Sequence, residues 1–266
     1  MPSIATRDEI RLKTAGEMDA MAAAGRAAAR TLLALKEHAQ PGVKLTELEE
    51  LAISTLRDNG ARPGLLGYHP GFSQVTYLHA TCLSVNDEVI HGVPRPIALN
   101  AGDVLGIDLV AVIDGWFADT ALTVIVGPTP HNPRAEKLLE VTEKAMWLGI
   151  ERCWPGSTLG DVGYAIQHHV EKNRFSILKQ MVGHGVGTAV HEPGLDVANV
   201  GRPGSGMRIR EGMTFCVEPM VTAGRGDYKH RKNDPWAVLS KDGSLGAHFE
   251  HTVGVTKDGP RILTLP

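Results

Sequence analysis

Gly106-Ile107-Asp108-Leu109-Val110-Ala111-Val112-Ile113-Asp114-Gly115-Trp116-Phe117-Ala118-Asp119-Thr120 decides the reading of the fold. Two runs of β-branched and aliphatic residues flank Asp114-Gly115, the dipeptide that favours a two-residue hairpin turn. The pattern over 104–126 therefore predicts two antiparallel strands. A two-residue turn pairs Ile113 with Trp116 and hence Val110 with Asp119. Side chains alternate along a strand, so Asp108 shares a face with Val110. Asp119 is then the diagonal neighbour of Asp108 on that face, about 7–8 Å away at Cα with the side chains closer. Two carboxylates aimed at one point among Val, Ile and Leu repel unless a cation or a proton lies between them.

Outward from the hairpin, helices alternate with strands. Thr14-Ala15-Gly16-Glu17 is a capping box that opens an Ala-rich helix to about His38, and Pro41-Gly42 stops it. A second box at Thr46-Glu47-Leu48-Glu49 opens a helix whose Leu48, Leu51, Ala52 and Leu56 recur at helical spacing up to Asn59-Gly60. After a break at Gly127-Pro128-Thr129-Pro130, Asn132 and Pro133 supply an N-cap and an N1 proline for a third helix to about Arg152. Pro155-Gly156 precedes a fourth helix over 159–172. Pro41-Gly42 with Leu45, Leu48, Leu51 and Leu56 is echoed 114 residues later by Pro155-Gly156 with Leu159, Val162, Ala165 and Val170. Chance likeness of two helix–turn–helix segments competes with internal symmetry here. No charge run or low-complexity linker separates the halves. The expectation is α+β architecture, one domain over 1–266, with pseudo-symmetric halves meeting near 127–133.

The 266 residues include 42% hydrophobic and 21% charged residues, an ordinary globular balance. A net charge of −3 lacks the basic excess of a chain that grips phosphate backbones over a wide surface. No apolar run is long enough to span a bilayer. Met1–Asp8 carries no basic-then-apolar leader pattern. Three cysteines, Cys82, Cys153 and Cys216, are too few and too scattered for a disulfide framework. A cytoplasmic monomer with no membrane or sequence-specific nucleic-acid partner is the expectation.

Further candidates lie downstream. In Gly183-His184-Gly185-Val186-Gly187-Thr188-Ala189-Val190-His191-Glu192 three glycines in five residues allow a sharp bend that can bring His184 and His191 together. No G-x-G-x-x-G or G-K-[ST] follows, which disfavours a phosphate cradle. Glu218 ends an apolar strand and Glu250 lies inside another. Asp and Glu are almost never buried without a partner. Four strand-borne carboxylates and one bend-borne imidazole make an oxygen-rich set able to hold two divalent cations about 3.5–4 Å apart.

Five motifs in order, Asn86-Asp87-Glu88-Val89-Ile90-His91-Gly92, the Asp108/Asp119 hairpin, Gly183-His184-Gly185, Glu218-Pro219-Met220 and Glu250-His251-Thr252, make the chain resemble the type I methionine aminopeptidases of short bacterial form. The resemblance spans nearly the whole chain. It implies a pseudo-symmetric pita-bread fold, a curved antiparallel sheet with helices on its outer face. It implies a hydrolase that removes initiator methionine from nascent proteins whose second residue is small. It further implies that Asp108, Asp119, His184, Glu218 and Glu250 bind two divalent ions, with Asp119 and Glu250 bridging. By the same resemblance Asp108 would bind one ion, and His184 and Glu218 the other. Oxygen and imidazole donors without thiolate suit Mn, Fe or Co, and Zn is also allowed. Glu218 is the expected general base, His191 the group that stabilises the carbonyl oxygen, and His91 the contact to the scissile nitrogen. Tyr68, Cys82 and Trp236, with Phe72 a further candidate, are expected to line a methionine pocket. The chain departs from the family pattern in a longer 68–82 segment and in Val190, where an aromatic is usual. Ala118 and His248 stand where the family commonly has Gly and Gln. The basic loop Arg225–Lys232 reads first as a solvated loop, and by resemblance as a transient ribosome contact. The rivals are a proline-specific or dipeptidase member of the same fold, and a catalytically dead module that binds protein or RNA.

Overall fold

The computed structural model describes residues 10–70, 75–128 and 132–266. Phe72, Met1–Asp8 and the Thr129-Pro130 pair lie outside the described residues. Four helices organise the described residues: α1 Ala15–His38, α2 Leu45–Asp58, α3 Pro133–Ile150 and α4 Leu159–Lys172. Thr14 and Glu17 form the expected reciprocal cap on α1, and the Asn132 side chain accepts from the Ala135 N–H at the start of α3.

The second box sits differently from the expectation. Helix α2 begins at Leu45 with Lys44 as its N-cap residue, and the Glu47 carboxylate accepts from the Lys44 N–H at 2.9 Å. Glu49 does not cap. It turns inward and accepts from the backbone N–H groups of Ala80 and Thr81 and from the Thr81 hydroxyl. Three donors at the head of the Thr81–Val85 strand satisfy a buried carboxylate better than one at a helix end.

The predicted hairpin forms with the predicted register: Val104–Ile113 pairs with Trp116–Ile125, Val110 opposite Asp119 and Ile113 opposite Trp116. Asp114 and Gly115 both have positive φ, 50° and 82°, as a type I′ turn requires. Among the described residues this hairpin belongs to a nine-stranded antiparallel sheet that also contains Thr81–Val85, Val182–Gly185, Glu192–Ala198, Thr214–Val217 and Glu250–Thr256.

Alternation along these strands separates two environments. Leu105, Ile107, Leu109 and Ala111 pack with Leu32, Leu35, Leu48 and Leu56 of α1 and α2. Phe215, Val217, Val253 and Val255 pack with Val141, Ala145, Val162 and Ile166 of α3 and α4. The helices thus cover one face of the sheet, and Asp108, Asp119, Glu218 and Glu250 line a cavity on the other.

The sequence echo has a structural counterpart. Gly42 and Gly156 share φ of 93°. Lys44 bridges to Ala98, and Thr158, 114 residues later, bridges to Arg208. Gly42 N–H donates to Leu99 and Gly156 N–H to Ile209, at the same turn of each half.

Candidate active site

The cavity has a volume of about 990 Å³, and a cross-strand row builds its floor. Cys82 lies opposite Asp108, Asp108 opposite Ala121, and Ala121 opposite Glu250. Asp119 sits two residues along from Ala121 on the same face. Its backbone is fastened to the neighbouring strand, since the Asp119 N–H donates to Thr252 Oγ1 at 3.0 Å and that hydroxyl donates to the Asp119 carbonyl at 2.8 Å. The Thr120 hydroxyl donates to the Glu250 carbonyl at 2.8 Å. Backbone anchoring of this kind presents the carboxylates with little freedom.

His184 arrives from the third side. A Cβ at Gly183 would stand 2.3 Å from the Cys216 carbonyl oxygen, so only glycine lets the strand carrying His184 approach the strand Thr214–Val217 that precedes Glu218. The register then slips between His184 and Gly185. His184 Nδ1 lies 3.1 Å from the Gly185 carbonyl, which only a protonated Nδ1 can satisfy. Nε2 is therefore the bare nitrogen. It faces Glu218 Oε1 at 3.5 Å and Asp119 Oδ2 at 3.7 Å.

The electrostatics of this cluster are unbalanced. Two like charges about 4 Å apart repel by about 4 kcal/mol at an effective dielectric of about 20. Burial first, then the neighbouring carboxylates, push Asp119, Glu218 and Glu250 well above the ordinary carboxyl range. Burial also raises Asp108 and lowers His184 to about 3, so the imidazole stays neutral at physiological pH.

Asp119 Oδ1, Glu218 Oε1, Glu250 Oε1 and His248 Nε2 are buried polar atoms without a hydrogen-bond partner among the described residues. Such atoms cost about 1–3 kcal/mol each unless something satisfies them. Two donors held by one cation through bonds of about 2.0–2.2 Å stand roughly 3–4 Å apart, which is the spacing found here. The donor atoms form two groups that share Glu250: Asp119, His184, Cys216 and Glu250, and Glu218, His248 and Glu250. Cys216 is a thiol, pushed well up by burial and by Glu250, and lies 3.8 Å from Thr252 Oγ1. The residues fit divalent cations.

His191 stacks between two rings, with His184 at 3.7 Å and Tyr68 at 5.5 Å between centroids. The glycine-rich bend does bring His184 and His191 together. Its far end is tied down by an ion pair between buried Lys13 and Glu192. The Tyr68 hydroxyl and His191 Nδ1 are 2.8 Å apart. Burial lowers His191 to about 4 and raises Tyr68 to about 12. His91 lies on the cavity wall in a left-handed conformation, φ 57°, and is lowered to about 4 by burial. Its neighbour Gly92 is held close to the Leu83 carbonyl, 2.4 Å from a would-be Cβ.

Cys82, Tyr68 and Trp236 all line the cavity, as does Val190. Sequence reasoning missed Tyr77, which lines the cavity, and His248, which stands beside Glu218 and Glu250. Tyr77 is buried, meets Trp236 edge-to-face at 5.1 Å, and pairs through its backbone with Tyr68. Tyr77 thus adds an aromatic wall beside Tyr68. In the sequence His248 stands out only as a departure from the family pattern. Its i, i+2 spacing from Glu250 was the available signal, since strand alternation sends both side chains the same way.

Residues 19–257 match the profile of metallopeptidase family M24. The methionine aminopeptidase of Rickettsia prowazekii (strain Madrid E) is 41% identical over 256 residues, covering 96% of this chain and 95% of that protein. The chain belongs to the methionine aminopeptidase family. The methionine aminopeptidase of Thermotoga maritima superposes with a TM-score of 0.91 at 37% identity, over 97% of this chain and all of that one. A prolidase from Pyrococcus furiosus, at 21% identity, has a TM-score of 0.75 over 98% of this chain and 67% of its own, a likeness of fold alone. The curved sheet and its four helices are the pita-bread fold shared by these methionine aminopeptidases. The protein is accordingly a hydrolase of peptides that uses divalent metal. Among the described residues no helix is long and apolar enough to cross a membrane.

Proposed function

We propose that this enzyme removes the initiator methionine from nascent proteins whose second residue is small, using two divalent ions per chain. The single observation that carries the reading is the convergence of buried, unpartnered oxygen and nitrogen atoms on the cavity floor. Asp108, Asp119, His184, Glu218 and Glu250 would hold the ions, with Asp119 and Glu250 shared. Mn, Fe or Co suit these donors best, and Zn is allowed. When bound, the ions supply Lewis acidity that polarises the scissile carbonyl and makes water a better nucleophile near neutral pH.

The chain's own residues supply the rest. Glu218 takes the proton of the attacking water and delivers it to the departing amine. His191, with Tyr68 donating to Nδ1, carries its proton on Nε2 and donates it to the carbonyl oxygen as negative charge develops there. His91, also on the cavity wall, contacts the scissile nitrogen and orients it. Tyr68, Tyr77, Cys82 and Trp236 form an apolar pocket suited to a flexible thioether side chain. We assign residues 1–266 to one catalytic unit of two related halves meeting near 127–133, acting as a cytoplasmic monomer.

A transient ribosome contact through the basic loop is the finer partner assignment. Arg231 does not serve it, because its guanidinium pairs with buried Glu88. Lys229 and Lys232 are the exposed candidates. Equal ribosome co-sedimentation by wild type and a Lys229→Glu/Lys232→Glu variant refutes this contact.

The deciding assay is Met-Ala-Ser hydrolysis after chelation and re-addition of single metals, with Asp119→Asn and an X-Pro peptide as controls. Turnover by the metal-free protein or by Asp119→Asn at the wild-type rate refutes the ligand assignment. Preference for X-Pro refutes the substrate assignment.

A further inference from the structure

We propose that His248 is a further metal ligand, giving this centre a second imidazole in addition to His184. The inference rests on the metal-centre reading above and adds a donor to it.

His248 ends the strand Gly246–His248, which pairs with Met220–Thr222 so that Met220 lies opposite His248. The Thr123 hydroxyl clamps the backbone here. It donates to the His248 carbonyl at 2.7 Å and accepts from the His248 N–H at 2.9 Å. The side chain is 5% exposed, so its position is set by the sheet rather than by solvent. Nε2 points at the carboxylates, 3.6 Å from Glu218 Oε2 and 3.8 Å from Glu250 Oε2. It has no hydrogen-bond partner among the described residues.

Those separations decide between two roles. Hydrogen bonds from a ring N–H to a carboxylate run at about 2.7–3.2 Å, and neither distance qualifies. Donors on one cation stand roughly 3–4 Å apart, and both distances qualify. Nε2 and the two carboxylates also form one of the two donor groups of metal-ligating size. Removing a buried imidazole nitrogen from water without any partner is a cost that coordination would offset. The chemical consequence is a shift in selectivity. An imidazole in place of an oxygen donor favours Co, Ni and Zn over Mn and Mg, ions that prefer oxygen.

The test counts imidazoles directly. In the Co(II)-loaded full-length protein, each ligating histidine with a free ring N–H contributes one solvent-exchangeable, hyperfine-shifted proton resonance. Two such resonances are expected in wild type and one in His248→Gln, which keeps the polar volume and a hydrogen-bond donor but lacks the imidazole. His184→Gln should retain one, with a different shift. By calorimetry, His248→Gln should lose roughly ten-fold or more in Co(II) affinity and clearly less in Mn(II) affinity. A single resonance in wild type overturns the proposal without reliance on any variant. So does an unchanged Co(II)-to-Mn(II) affinity ratio in His248→Gln. Failure of wild type to bind Co(II) at all would instead overturn the metal-centre reading, and the proposal with it.

Discussion

Tyr68→Phe removes one oxygen atom and nothing else, and so isolates the link between Tyr68 and His191. The hydroxyl stands 2.8 Å from Nδ1, and the rings are nearly parallel, 13° apart. Phenylalanine keeps the stacked ring and the apolar wall. Because burial pushes Tyr68 to about 12, the hydroxyl stays protonated at any assay pH. Because burial holds His191 at about 4, the imidazole is neutral and has one nitrogen to offer as acceptor. Losing a neutral hydrogen bond of this kind costs about 1–1.5 kcal/mol, and each 1.36 kcal/mol is about ten-fold in rate. We expect kcat for Met-Ala-Ser to fall roughly five- to ten-fold, with KM changing far less. His191→Ala should fall further, about 10²–10³-fold, as loss of an oxyanion donor does. The double variant should be no slower than His191→Ala alone, since Tyr68 acts through His191. A wild-type kcat in Tyr68→Phe, or a double variant whose defects multiply, refutes the tautomer argument.

Three further outcomes follow from the geometry. Gly183→Ala forces a Cβ to within 2.3 Å of the Cys216 carbonyl. It should destabilise the fold by about 1–3 kcal/mol and weaken metal binding by displacing His184, both readable by calorimetry. Chelation followed by Mn(II) at about 100-fold over its dissociation constant should raise the melting temperature by about 5–10 °C in wild type, and Asp119→Asn should show little of that rise. Asp242 is held down to about 2 by hydrogen bonds from Ser244 and from the Arg225 N–H. Its contribution is full above about pH 4 and disappears as pH falls toward 2. Because the group is exposed, that contribution is below about 1 kcal/mol. Asp242→Asn should therefore lose slightly less stability than wild type between about pH 4 and 2 by differential scanning calorimetry.

Local rules carried far in this chain where the determinant was itself local. The Asp114-Gly115 turn set the hairpin register residue by residue, and alternation then put Asp108 and Asp119 on one face. Thr14, Asn132 and the Pro-Gly pairs marked helix ends because caps and breakers act within a few bonds. The second cap slipped to Lys44 because Glu49 found better donors at Ala80 and Thr81, partners about thirty residues away that no window of sequence contains.

The sequence by itself determined which residue types could hold cations, and strand period placed pairs of them on common faces. Only the tertiary structure decided that His248 stands beside Glu218 and Glu250 and that Tyr77 walls the pocket. It also decided that Arg231 belongs to Glu88 rather than to solvent. These are matters of distance between strands remote in sequence. Burial, which turns a scatter of acids and histidines into a site with unsatisfied donors, exists only once the sheet has curled and its neighbours have closed over it.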